Sequence, residues 1–271
     1  MGFTWKQGTK PSYTPPPSGT KEVLYIYDTT GTADDDMRLN DTAVKGASEF
    51  ATAINALTDG SGNNYNITEI AETTFIADVA TALVGIDVLV TGSAIGDYTG
   101  TPAVDLKTFV ETDGKGILMY SDGSLGGGAD NQVGADSRRS MGCMSWGFDC
   151  AVDQKEGVTS DSLPGSSIWG DGLTYEGEGT SPWVLDQNAG NHASEGTPTV
   201  LVARSNQSLS KTTALTYTGT IAEMAYSTPG SGKIAFIYDR QLVWNTGSPG
   251  SAINTLDNQQ ILENIIIWLA T

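Results

Sequence analysis

The chain has 271 residues, with 32 acidic against 14 basic side chains and a net charge of −18. A field of that sign excludes nucleic acid and anionic membranes as partners, because phosphate binding needs clustered Lys and Arg, and Arg138-Arg139 is the only adjacent basic pair. Hydrophobic residues make up 38% and charged residues 17%, a composition that fits a loop-rich α/β protein and not a helical bundle.

No run of 18 apolar residues is present, so no membrane-spanning helix is expected. The first twenty residues lack an apolar segment of signal-peptide length. A virion or cytoplasmic location is therefore expected over a secreted one. Cys143 and Cys150 are too few for a disulfide scaffold, and a loop disulfide between them stays open. No Cys-His pairing suggests zinc, and no cofactor is expected.

In chain order, residues 1–20 form a Pro/Gly/Ser/Thr/Lys arm in which Pro11, Pro15, Pro16 and Pro17 impose an extended path. The arm cannot bury a core alone. It is expected to dock on a protein partner or on another copy of the chain. From residue 21 to 271 the pattern reads as a single α/β domain. Glu22–Asp28 is an apolar strand buried on both faces. The following loop holds Asp34, Asp35 and Asp36. Asp41-Thr42 is expected to cap a helix whose apolar face is Val44, Ala47, Phe50, Ala51, Ile54 and Leu57.

The cycle then repeats. Asn66–Ile70 reads as a strand, Phe75–Val84 as one helix, Ile86–Val90 as a strand stopping at Thr91-Gly92-Ser93, Pro102–Glu111 as a helix, and Ile117–Tyr120 as the next strand. Alternation at this spacing predicts a doubly wound, mostly parallel sheet of the flavodoxin-like class. Residues 123–198 break the rhythm and read as a loop- and β-rich insertion holding Trp146, Trp169, Trp183 and Tyr175. These aromatics fit a small subsidiary core, with a sugar platform as the competing reading. Strands are expected at Thr199–Ala203, Ala214–Tyr217, Glu223–Tyr226 and Gly232–Asp239, and a last helix from Leu256 to Ala270 capped by Asp257.

The order of these elements, with Thr91-Gly92-Ser93, Ser121-Asp122-Gly123 and the closing stretch Asn258–Leu269, resembles the class I glutamine amidotransferase-like superfamily, especially its ThuA-like members. The resemblance covers roughly residues 21–122 and 199–271 and is one of fold. In the family's catalytic members the corresponding strand ends in a G-x-C-x-G elbow. Here the string is Met119-Tyr120-Ser121-Asp122-Gly123, so Ser121 takes the Cys position and Met119 replaces the first Gly. The family's His-x-Glu has no counterpart in place, because the sole histidine, His192, lies within the insertion. The resemblance therefore does not imply glutamine hydrolysis.

Parallel sheets bind ligands at the carboxyl ends of their strands, which makes Asp28, Thr91, Ser93 and Asp122 the expected ligand rim. Under a hydrolase reading Ser121 is the nucleophile, with His192 as base and Asp239, Asp122 or Glu195 to orient it. Asp34, Asp35 and Asp36 lack the alternating spacing of a calcium loop and read as a solvated acidic turn; they are weak metal candidates only. Two function classes remain. One is a non-catalytic structural or binding protein, such as a coat or decoration component of a virus or phage particle. The other is a hydrolase or carbohydrate-related enzyme. The degenerate elbow and the Pro-rich arm favour the first.

Overall fold

The computed structural model describes residues 19–27, 38–91, 101–120, 148–150, 159–163, 167–177, 183–185, 199–204, 221–237, 240–246 and 252–271. Five strands form its parallel centre: β1 (Thr20–Tyr27), β2 (Asn64–Ala71), β3 (Val88–Val90), β4 (Gly116–Tyr120) and β11 (Lys233–Ile237), in the order β2-β1-β3-β4-β11. That is the flavodoxin-like arrangement, reached because β1, β2 and β3 are each followed by a helix that returns over a sheet face. The fold is thus the doubly wound α/β class read from the sequence.

The insertion and the chain after it extend this centre with antiparallel strands. β5 (Phe148–Cys150), β8 (Trp183–Leu185), β9 (Thr199–Arg204) and β10 (Ile221–Ser227) join the same sheet, while β6 (Thr159–Ser162) and β7 (Thr174–Gly177) form a separate two-stranded ribbon. β9 lies along one edge of β10 throughout. The other edge is shared: Met224–Ser227 pair with β11, and Ile221–Ala222 pair with β8.

Two layers cover the sheet. Alternation along each strand sends Val23, Tyr25, Val88, Val90, Leu118, Ala235 and Ile237 to one face and Leu24, Ile26, Leu89, Ile117, Met119 and Ile234 to the other. The first face receives α1 (Ser48–Ala56) and the last helix, α5 (Asn258–Leu269), through Phe50, Ile54, Ile261, Leu262, Ile265 and Ile266. The second receives α2 (Glu72–Ala77), α3 (Val79–Ala82) and α4 (Thr101–Lys107), through Phe75, Val79 and Leu106. α4 runs on as a π-helical turn, Thr108–Thr112, which buries Phe109 and Val110. Gly116 sets how closely α5 approaches: a Cβ there would stand 2.6 Å from both Leu269 Cβ and Leu269 O.

Four expectations are corrected. The helix expected at Asp41-Thr42 begins at Ser48, and Val44 is 42% exposed. Asp41 Oδ1 instead accepts the N–H of Ala43 in a tight turn. The cap of α1 comes from Asn245, whose Oδ1 accepts the Glu49 N–H at 2.9 Å and the Ser48 hydroxyl at 3.2 Å. The single helix expected over Phe75–Val84 is two short ones, because Asp78 leaves the helical conformation and accepts the Thr81 N–H as the cap of α3. Asp257 stands at the cap position of α5, but its Oδ2 accepts the Thr174 N–H from β7 at 2.8 Å.

Trp169 and Tyr175, expected in a subsidiary core, are fully buried in the main one. Trp169 meets Tyr226 and Trp268 edge-on with centroids 6.2 and 6.0 Å apart. Its carbonyl accepts from Asn264 Nδ2 at 2.6 Å, which ties this part of the insertion to α5. The arm up to residue 18, the strand expected at Ala214–Tyr217, Trp146 and Cys143 lie outside the described residues.

Candidate functional site

The sheet order places a topological switch between β1 and β3. The connection from β1 leads to β2 on one side, and the chain then crosses over to β3 on the other. Loops leaving the carboxyl ends of β1 and β3 therefore diverge, and such a divergence is where open α/β sheets hold ligands.

Of the rim residues expected from the sequence, Thr91 is described. It directly follows β3, is 2% exposed, and donates its N–H to Leu118 O at 3.0 Å, so it prolongs the β3–β4 ladder. Asp28, Ser93, Ser121, Asp122, Asp239, His192, Asp34, Asp35 and Asp36 lie outside the described residues. Chain connectivity still sorts them. Asp28 follows β1, Ser93 follows β3, Ser121-Asp122 follow β4 and Asp239 follows β11, four adjacent parallel strands. His192 lies between β8 and β9, both strands of the antiparallel flank.

The described part of the rim contains a group that the sequence reading missed. Arg38 Nε and Nη2 donate to Glu69 Oε1 at 3.1 and 2.6 Å, and the other oxygen, Oε2, accepts the Leu39 N–H at 2.7 Å. The guanidinium also lies 4.3 Å above the centre of the Tyr27 ring, at the end of β1. A planar cation suits this double contact, carboxylate on its edge and ring on its face. Arg38 carbonyl oxygen in turn accepts from the Asp41 and Ala47 N–H groups. The group ties Arg38 and Leu39 to the carboxyl ends of β1 and β2. Its signal in the sequence was small: Arg38 is the one basic residue between Lys21 and Lys45.

Glu72, at the carboxyl end of β2, is 2% exposed. Nothing in Ala71-Glu72-Thr73 marks that carboxylate as buried. Among the described residues, no cluster of three or more His, Cys, Asp or Glu side chains could hold a metal ion, and no helix is long and apolar enough to cross a membrane.

Fold and rim together define a flavodoxin-like α/β protein with an antiparallel extension. No protein-family model matches the chain, and no curated protein is similar to it in sequence. Solved structures do share its fold. The mmIFT52 N-terminal domain superposes with a TM-score of 0.59 at 14% identity, over 93% of this chain and 98% of that one. A ThuA-like protein from Bacteroides uniformis ATCC 8492 gives 0.56 at 11% identity, over 96% and 95%. A cytoplasmic protein from Salmonella typhimurium LT2 gives 0.50 at 14%, over 92% and 99%. The ThuA-like resemblance thus holds at the level of fold. At such identities the likeness says nothing about a reaction.

Proposed function

We propose that this chain is a non-catalytic binding or structural module, docked through residues 1–20 and presenting the carboxyl edge of its sheet. The observation that supports this reading is the position of the arm's last two residues, Gly19 and Thr20. Gly19 donates to Asn63 Oδ1 at 3.1 Å and accepts the Asn64 N–H at 3.0 Å, so the carboxyl end of the arm is fixed at the amino end of β1. The rim lies at the opposite end of that eight-residue strand, about 23 Å away. A body tethered at one end is free to present the other.

The sequence supports the same reading. Ser121 stands where the resembling family has Cys, Met119 stands where it has Gly, and the single histidine belongs to a flank strand connection. A role as coat or decoration component of a particle is the specific form of the proposal, and it rests on composition and on the arm. A hydrolase built on Ser121, His192 and Asp239 is the competing reading.

Limited trypsin digestion tests the proposal. Lys6 and Lys10 should be protected when the protein is in its native assembly and cut quickly in the dilute isolated chain. Equal cutting in both states refutes a docking arm. Turnover of an ester or glycoside substrate that is lost in Ser121→Ala would instead establish the enzyme.

A further inference from the structure

A cleft of about 300 Å³ opens at the amino end of β3 and β4, on the same end of the sheet as the arm and opposite the rim. Its walls are the end of α3 with the turn after it and the α4–π-turn segment. Leu83, Ile86 and Phe109 supply the apolar floor. Val84 and, beside the cleft, Val104 are 78% and 61% exposed. One wall is the π-helical turn Thr108–Thr112, a rare geometry that is found frequently at functional sites. Asp105 and Asp113 add negative charge, while the lining cation, Lys115, donates to Asp87 at 2.8 Å.

The chain itself contains a segment of matching chemistry. Residues 1–20 carry two lysines, Lys6 and Lys10, and no acidic residue, in a protein of net charge −18. Phe3, Trp5 and Tyr13 are the aromatic residues there, large apolar groups suited to filling a pocket. The spacer chooses between the chain's own cleft and that of a neighbour. β1 and β3 are adjacent, and the register Val23↔Val88 puts Gly19 two residues beyond the level of Ile86, a step of roughly 10 Å. The prolines at 11, 15, 16 and 17 lead one to expect an extended stretch of about 20 Å. An extension of that length favours a neighbour's cleft over the chain's own.

We propose that the Phe3-Thr4-Trp5-Lys6 segment of one copy docks into the α3/α4 cleft of a second copy. The inference rests on the docking role of the arm given above and names its receiving surface. Each copy then offers one arm and one cleft at the same end of its sheet, and the carboxyl rims stay uncovered. Such a contact is heterologous and builds rings or open chains unless two copies exchange arms.

Photo-cross-linking of the full-length chain tests it. Phe3 is replaced by benzoylphenylalanine, isotopically light and heavy proteins are mixed, and adducts are mapped by mass spectrometry. Light–heavy adducts within residues 79–86 or 104–115 are expected. Ala80→Trp, which fills the mouth, and Asp105→Lys, which reverses its charge, should each weaken self-association at least about tenfold, with circular dichroism unchanged. The Asp105 variant, at a half-buried position, serves if the tryptophan variant does not fold. Adducts confined to single chains, or mapped to another surface, overturn the cleft assignment and leave a docking arm standing. Absence of adducts together with unprotected Lys6 and Lys10 overturns both.

Discussion

Asn245 caps a helix that begins 197 positions earlier in the chain: its Oδ1 accepts the Ser48 hydroxyl and the Glu49 N–H. Its Nδ2 donates to the carbonyls of Asp41 and Ala43 at 2.9 and 2.6 Å. One buried amide, 3% exposed, thereby satisfies the start of α1 and the turn before it. Asn245→Ala should cost about 2–4 kcal/mol, a lost cap together with stranded carbonyls. Asn245→Asp should recover little, because a carboxylate cannot donate to those two carbonyls. Urea unfolding of the three proteins checks the order.

Gly116 and Gly60 should respond oppositely to alanine. A Cβ at Gly116 meets Leu269 at 2.6 Å, and α5 is held against β4 there. Gly116→Ala should therefore destabilise by about 1–3 kcal/mol. Nothing lies within 4 Å of a Cβ at Gly60, so Gly60→Ala should be neutral or slightly stabilising, through the unfolded chain. Thermal melting of the pair separates a packing constraint from a general intolerance of side chains in this fold.

Arg38→Lys should not behave as a conservative change. Lysine keeps the charge but loses the paired N–H donors to Glu69 Oε1 and the flat contact with Tyr27. The guanidinium is partly exposed, at 36%, so the cost should be modest, about 1 kcal/mol. A double-mutant cycle with Glu69→Gln measures the coupling; complete additivity would mean the pair contributes nothing.

Acid and alkali should act through Asp59 and Tyr65. Burial pushes the Asp59 carboxyl up, but the Asn63 side chain, the backbone N–H groups of Asn63 and Ser61, and the Tyr65 hydroxyl outweigh it, holding Asp59 below the usual carboxylate value of 3.8. Its contribution to stability is present above that value and is lost as pH falls through the lower folded value. Asp59→Asn should flatten the acid limb of a melting-temperature profile. Burial, and then the charge of Asp59, raise the Tyr65 hydroxyl above its ordinary 10.0. Stability from this neutral phenol is complete below pH 10 and declines above it. Tyr65→Phe should remove that alkaline decline while losing the hydroxyl's bond to Asp59 Oδ2.

Much of the fold was legible from period alone. Glu22–Asp28 read as a strand covered on both faces and Ile117–Tyr120 as a strand, and the structure sends Val23 and Tyr25 to one face, Leu24 and Ile26 to the other. Local hydrophobic pattern reports such burial directly, because neighbouring residues of a strand face opposite layers. The last helix was readable for the same reason, since Leu262, Ile265, Ile266 and Leu269 share one face. The candidate rim was legible as a set of strand ends, though of its predicted members Thr91 alone lies within the described residues.

Sequence by itself determined the alternation of strands and helices, the two-sided burial of the central strands and the acidic surface. All three depend on residues near one another in the chain or on totals. Tertiary structure decided where α1 starts, what the Asp257 carboxylate binds, where Trp169 is buried and which partners hold Arg38. Asn245 reaches Glu49, Asp257 reaches Thr174, Asn264 reaches the Trp169 carbonyl and Glu69 reaches Arg38 across 196, 83, 95 and 31 positions. A polar side chain satisfies whichever donor or acceptor the fold brings to it, and its own neighbours in the chain do not encode that partner.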